Sequence, residues 1–303
     1  MRVLLVYNPA AGGGRAPRLL PSVLERLRAA GVEVETRRTA SLDDARDAAR
    51  EAAGQYTAVV AMGGDGTVGA CAAGLGEAGP AGRAALGLIP AGGGNDVARN
   101  LGLPFSDPLA AAALLPSLTE RRVDLVRAGE RLFLNSAGAG FDSEASRFAN
   151  ERLARAPYRL RYIGAMLAEL VLWRPACFRI TLDGRQLEAR GWLVAIGNGQ
   201  SYGGGMRIAP GARMDDGLLD VVVIGELSKP AFLATFPKIY SGRHVNHPAI
   251  SVWRAARVEL DADRPLAVHL EGELAGTVPV AFEVVPGAIR VLAADNAPAL
   301  PAP

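Results

Sequence analysis

The chain is short of lysine, cysteine and aromatic side chains, and it has no long apolar run. Of its 33 basic residues only Lys229 and Lys238 are lysines, and both come late. No glycine-rich loop in the first two hundred residues can therefore set a lysine on a phosphate. The Walker A pattern, which ends in Gly-Lys-Ser/Thr, is excluded. The two cysteines, Cys71 and Cys177, form no CxxC pair, which excludes zinc ribbons and redox dithiols. So few thiols suit a reducing compartment better than a disulfide scaffold. The longest apolar candidate, Leu160 to Trp173, is interrupted by Arg161 and Glu169 and cannot span a bilayer. MRVLLVYNPA turns polar at Asn8 too early for a secretory signal. A net charge of +2 gives no excess with which to hold a nucleic acid. The expectation is a soluble, cytoplasmic protein with no transmembrane segment and no nucleic-acid partner.

What is present is glycine and alternation. With 303 residues, half of them hydrophobic, the chain can build two domains. In the first part, apolar runs at Val3–Tyr7, Val32–Thr36, Ala58–Met62 and Leu86–Ile89 alternate with helical spacing at Leu19–Ala30 and Asp43–Ala53. Such alternation predicts a parallel sheet covered by helices. Beyond Asp124 the texture changes to short strand-like runs, Phe178–Leu182, Leu187–Ile196, Leu218–Ile224, Val258–Leu260, Ala267–Leu270 and Phe282–Val285, separated by Gly and Pro turns. These predict an antiparallel β domain with one helical insertion at Arg152–Trp173. The expected division is an α/β domain over 1–124, an antiparallel β domain over 125–291, and a tail over 292–303. That tail reads as a frayed end that could return to the first domain.

Three glycine loops follow predicted parallel strands, where open α/β sheets bind ligands. They are Asn8-Pro-Ala-Ala-Gly-Gly-Gly14, Gly63-Gly-Asp-Gly-Thr67 and Pro90-Ala-Gly-Gly-Gly-Asn-Asp96. Glycine lets backbone N–H groups approach phosphate, and a helix N-terminus adds partial positive charge. Gly64–Gly69 also matches GxGxxG. A dinucleotide site is disfavoured, because Arg83–Ile89 offers no carboxylate for a ribose and Asp65 would repel a bare pyrophosphate. An aspartate inside the loop suits a metal-bound nucleotide.

Asn8-Pro9, Gly63-Gly-Asp-Gly-Thr67 and Gly94-Asn-Asp-Val-Ala-Arg99 resemble the diacylglycerol kinase catalytic domain family, nearest its bacterial soluble lipid kinases, relatives of sphingosine kinases. The resemblance continues through Val123-Asp-Leu125, Asn135-Ser-Ala-Gly-Ala-Gly-Phe-Asp142, Gly203–Pro210, Asp216-Gly-Leu-Leu-Asp220 and Glu271-Gly-Glu273. It implies an α/β nucleotide-binding domain over 1–124, a β-sandwich lipid-substrate domain over 125–291, and an active site in the deep cleft between them. It also implies ATP and Mg²⁺, with Gly63, Gly64, Gly66 and Thr67 around the phosphates and Asp65 organising the catalytic metal. Asp96 and Asp124 would assist through water or hydrogen bonds. Asn8, Arg15, Thr39, Gly92 and Asn95 fall at nucleotide-contacting positions. Glu271 stands at the place of the general base. A structural Mg²⁺ is implied at the Asp216 carboxylate and the carbonyls of Arg213 and Leu218.

Three positions depart from the family pattern. Gly13 stands where lysine is common, leaving Arg15 as the first basic residue. Gly93 replaces a threonine. Glu271 replaces an aspartate and reaches one methylene further. Capping turns also explain Asn95 and Asp96, and a strand-end turn Asp124. Asp220 reads as a surface pairing residue, His244 and His247 as surface or turn residues, and His269 as packed or exposed. The insertion carries an apolar stripe (Leu160, Ile163, Met166, Leu167, Leu170, Val171, Trp173) beside Arg152, Arg155, Arg159 and Arg161. It reads as a core helix or as a lid lying on an anionic membrane. The expected activity is phosphorylation of a lipid hydroxyl, diacylglycerol-like, at the inner membrane face. A kinase of a soluble hydroxyl compound and a non-catalytic binding member stay open, as does a homodimer.

Overall fold

The computed structural model describes residues 1–79, 82–152 and 158–301. The first half runs β1 (Arg2–Tyr7), α1 (Ala11–Ala29), β2 (Glu33–Arg38), α2 (Leu42–Ala52), β3 (Ala58–Gly63), α3 (Asp65–Glu77), β4 (Ala85–Pro90), α4 (Asp96–Asn100) and α5 (Pro108–Leu114). β5 (Thr119–Ala128), β6 (Arg131–Phe133), β7 (Ser136–Gly140), α6 (Phe141–Arg152), α7 (Tyr158–Leu172), β8 (Ala176–Leu182) and β9 (Arg185–Gly197) follow. The chain ends with β10 (Leu219–Gly225), α8 (Lys229–Ile239), β11 (Ile250–Ala255), β12 (Arg257–Ala262), β13 (Ala267–Leu270), β14 (Glu273–Thr277) and β15 (Val280–Ala293).

β2, β1, β3 and β4 pair in parallel in that order. Every residue of β3 and β4 is buried, which is why these strands read as unbroken apolar runs rather than alternating ones. The second half is antiparallel, in the order β14-β13-β7-β9-β8-β12-β15, with β10 and β11 extending from β9. β15 joins the two parts. Its first residues pair with β12, while Val291 pairs in parallel with Leu86 of β4. β5 runs antiparallel beside it across a bulge between Val285 and Ile289. β15 therefore feeds both cores, Phe282 and Val284 on one side and Ile289 and Val291 on the other.

α3 explains the close fit of the first half. It is built largely from Gly and Ala, and a β-carbon at Gly74 would lie 2.0 Å from the Arg46 carbonyl oxygen of α2. α2 begins at Ser41, whose hydroxyl accepts the Asp44 N–H, and turns Ala45, Ala48, Ala49 and Ala52 inward.

Four features differ from the sequence expectations. The tail is not frayed: the Ala294 and Ala299 N–H groups donate to the carbonyls of Leu101 and Asn100, and Leu300 is buried. His244 is fully buried, with Nε2 3.0 Å from the Ile208 carbonyl. Asp220 is likewise buried and pairs with Arg254. The expected helical insertion holds α7, with the separate α6 ending at Arg152, and its faces divide: Ala165, Leu170 and Trp173, just past the helix, are buried, while Leu167, Val171 and Leu172 are 59–71% exposed. Arg155 and the side chains of Arg159, Arg161, Leu160 and Ile163 lie outside the described residues.

Candidate active site

The three glycine loops meet. A β-carbon at Gly12 would stand 2.3 Å from the Ala91 carbonyl oxygen, and one at Gly92 would stand 2.4 Å from the Gly64 Cα. Ala91 and Gly92 both donate backbone N–H to the Gly63 carbonyl. Only glycine permits these approaches. Gly12, Gly13 and Gly14 all take positive φ, so the first loop stands apart from the regular helix beyond it. Asn8 closes the loop from below, its Oδ1 accepting the Ala10 N–H. Thr39 is buried beside it, its hydroxyl donating to the Tyr7 carbonyl. Thr67 packs under Gly63, where a β-carbon would sit 2.6 Å from its hydroxyl oxygen. Gly66 has only Leu42 nearby, and Arg15 is exposed. Asn95 holds the left-handed conformation at φ 54°. It makes no helix-capping bond; its amide instead ties Gly92 to Phe105.

Two carboxylates converge on this cradle. Asp65 opens α3, and its Oδ1 accepts the Val97 N–H at 3.0 Å. Asp96 opens α4 and accepts the N–H groups of Gly204 and Gly205 at 2.7 and 2.6 Å. Those donors come from the second half of the chain, so Asp96 links the halves. One oxygen of each carboxylate lies within 2.9 and 3.2 Å of the point where a Gly94 β-carbon would be. Burial pushes both acids above the usual aspartate range, and the neighbouring Asp96 charge raises Asp65 further. The nearest cation, Arg99, stands 3.8 Å from Asp96 with its guanidinium over the Phe105 ring. Two convergent carboxylates, Asp96 buried and Asp65 half-buried, form an all-oxygen donor set of the kind that takes Mg²⁺ together with phosphate oxygens.

The second half contributes Glu271. Glu271-Gly272 is the two-residue turn between β13 and β14, with both residues at positive φ (53° and 84°). This is the type I′ geometry that suits hairpin twist but disfavours a glutamate. The strain is held by contacts. The Glu271 N–H donates to the Ser136 carbonyl, and its Oε1 accepts the N–H groups of Leu134 and Asn135, each at 2.8 Å. Its other oxygen points at Gly69, one helical turn beyond Asp65 on α3. Burial, resisted by those two N–H donors and reinforced by the Asp65 charge, lifts this carboxyl to about 7.

Asp124 lies on β5. Its two oxygens accept the N–H groups of Gly287, at the bulge of β15, and Gly217. Burial raises it, and its carboxylate neighbours are Asp215 and Asp216. It thus ties β5 to the β15 bulge and to the Gly217 turn, through N–H donors different from those that Asp65 and Asp96 accept. The structural-metal expectation at Arg213, Asp216 and Leu218 also meets a difference. Asp216 accepts the Leu218 N–H with one oxygen and pairs with the Arg254 guanidinium through the other; Arg254 also reaches Asp220 at 3.0 Å. The Arg213 side chain pairs with Asp215, which does not engage its carbonyl, the atom the expectation names. The Arg254 guanidinium supplies positive charge to the Asp216 carboxylate.

Sequence reading missed a buried amide ring where the two halves meet. Asn100 donates to Asn135, Asn135 to the Ser201 carbonyl, and the Ser201 hydroxyl to Asn100. The Asn198 amide donates to the carbonyls of Asp124 and Leu134. Buried amides must be satisfied, so this ring fixes the approach of the two halves. No sequence period marks such residues; the one signal was Gly199, where a β-carbon would collide with Asn135 and Asn100.

A glycine-loop α/β half with paired carboxylates, facing an antiparallel half that brings a third, has the layout of an ATP-dependent phosphotransferase. The description "Diacylglycerol kinase catalytic domain" matches residues 2–128, and "YegS C-terminal NAD kinase beta sandwich-like domain" matches 135–293. The chain belongs to the diacylglycerol kinase catalytic domain family, in the bacterial branch that includes the YegS-like lipid kinases. It is 37% identical to a Mycobacterium tuberculosis diacylglycerol kinase over 299 residues, 96% of this chain and 94% of that one. It is 34% identical to a "Probable lipid kinase YegS-like" of Pseudomonas aeruginosa over 303 residues, 100% and 97% of the two chains. A crystal structure titled as a diacylglycerol kinase of Bacillus anthracis superposes with a TM-score of 0.75 at 26% identity, covering 98% of each chain. The chain is therefore an ATP-using lipid kinase. No helix among the described residues is long and apolar enough to cross a membrane.

Proposed function

We propose that this chain transfers the γ-phosphoryl group of Mg-ATP directly to the hydroxyl of a membrane-borne, diacylglycerol-like lipid. The observation that carries this reading is the convergence of Asp65 and Asp96 under three glycine loops, with Glu271 seated one helical turn away from the opposite half. The backbone of Gly12–Gly14, Gly63, Gly64, Gly66 and Gly92, with Thr67, holds the phosphates, flanked by Asn8, Thr39 and Asn95. Arg15, exposed at the loop, adds the charge that lysine supplies elsewhere. Asp65 and Asp96 would hold Mg²⁺, which when bound neutralises the charge growing on the transferred group.

Glu271 takes the proton of the acceptor hydroxyl as its oxygen bonds to the γ-phosphorus and the bond to the β–γ bridging oxygen breaks, releasing ADP. A carboxyl titrating near 7 is matched to that task. Asp124 supports the site by tying Gly217 to the β15 bulge. A 1–124 nucleotide unit and a 125–291 acceptor unit, with the tail packed back on the first, are the working division.

The membrane contact is assigned to Leu167, Val171 and Leu172 of α7 with Leu233 of α8 and Tyr240 just past its end, all exposed, beside Arg174 and Lys229. Apolar side chains rimmed by cations suit an anionic bilayer surface. With γ-labelled ATP and diacylglycerol in mixed micelles, wild-type protein is expected to label the lipid and Asp65→Ala to lose that activity on the order of 10³-fold. Transfer that survives Asp65→Ala refutes this site.

A further inference from the structure

Gly69 lies inside α3, where alanine is the better helix former. Its absence of a side chain has one evident use. A β-carbon built there would stand 1.5 Å from Glu271 Oε2, 2.7 Å from its carboxyl carbon and 3.3 Å from Oε1, and these are its three nearest heavy atoms. The space a side chain would fill is thus occupied by the carboxylate of the candidate base, brought in from the other half of the chain. Glu271 is also one methylene longer than the aspartate of the motif it resembles. Its backbone is pinned by the Ser136 carbonyl and its Oε1 by two N–H groups, so the extra length has to go toward α3.

We propose that Gly69 is a positioning residue for the phosphoryl-transfer step: the seat that lets a glutamate, rather than an aspartate, present its carboxylate at this point. The two positions form a matched pair, small on α3 and long on the β13–β14 turn. This rests on Glu271 acting as the base. An alanine methyl at 69 displaces the flexible end of Glu271 from the N–H groups of Leu134 and Asn135 and leaves the glycine loops untouched. A misplacement of about 1 Å costs on the order of 10²-fold in turnover.

The test measures kcat and both KM values for Gly69→Ala, Glu271→Asp, the double variant and Glu271→Gln, with circular dichroism on each. Gly69→Ala is expected to lower kcat on the order of 10²-fold with KM for ATP within about twofold. The double variant is expected to exceed Gly69→Ala by about tenfold, because the shorter acid no longer needs the vacated space. Rescue by the double variant supports the pairing even if Gly69→Ala alone folds poorly. The inference is overturned if Gly69→Ala keeps wild-type kcat, or if the double variant is no better than Gly69→Ala. A fully active Glu271→Gln removes the base reading itself and the pairing with it. An inactive Glu271→Gln beside an unimpaired Gly69→Ala overturns the pairing alone.

Discussion

Replacing Glu271 with glutamine should make the ligand-free protein more stable in base and hardly change it in acid. The carboxyl is lifted from an ordinary 4.5 to about 7, chiefly by burial. A group whose folded-state pKa is raised is tolerated while protonated. Its neutral form is fully accommodated below about 4.5, and the penalty for ionising it in place accumulates as pH rises from there through about 7. Moving the pKa from 4.5 to about 7, at about 1.4 kcal/mol for each tenfold change, sets the full penalty at about 3.5 kcal/mol. About 1 kcal/mol of this is already present near pH 5, so about 2.5 kcal/mol separates pH 5 from pH 8.5. Glutamine keeps the carbonyl that accepts the Leu134 and Asn135 N–H groups and never ionises. Urea unfolding of both proteins at the two pH values measures the difference. A glutamine variant with no stability gain at high pH would refute the burial argument. The same titration should appear in turnover, with kcat/KM for the lipid rising as pH increases through about 7 and the rise lost in the variant.

Three further outcomes follow from the geometry. Arg254→Gln should destabilise the fold by about 1–3 kcal/mol, because Asp216 and Asp220 lose their shared cation. Millimolar Mg²⁺ should restore part of that loss while leaving wild-type stability unmoved, which thermal melts with and without EDTA would show. Asp124→Asn should cost about 1–3 kcal/mol through one unpaired N–H at Gly217 or Gly287. Paired Leu167→Asp and Val171→Asp changes should reduce co-sedimentation with anionic vesicles at least about tenfold without shifting Tm, since both side chains are exposed.

The parallel half was legible because β3 and β4 are buried on both faces and write that fact as unbroken apolar runs. The glycine loops were legible because backbone crowding leaves glycine as the only solution at Gly12 and Gly92. β7 was not, since Ser-Ala-Gly-Ala-Gly lacks every strand-favouring side chain; its close approach to β9 and β13 demands small residues instead. α8 was hidden by prolines at both ends. Charged partners separated by long stretches of sequence were unreadable: nothing in Asp216-Gly-Leu-Leu-Asp220 announces Arg254, and nothing near Glu271 announces Gly69. Those pairs are set by how the halves meet, through β15 and the buried Asn100–Asn135–Ser201 ring.

The central claim is phosphoryl transfer to a lipid hydroxyl, and label from γ-labelled ATP followed into a panel of glycerolipids, sphingoid bases and water-soluble alcohols tests it most directly. The account predicts Mg²⁺-dependent label in the phosphorylated product of diacylglycerol or a close glycerolipid. Label confined to a water-soluble acceptor, or none on any acceptor while Mg-ATP binds measurably, would contradict it.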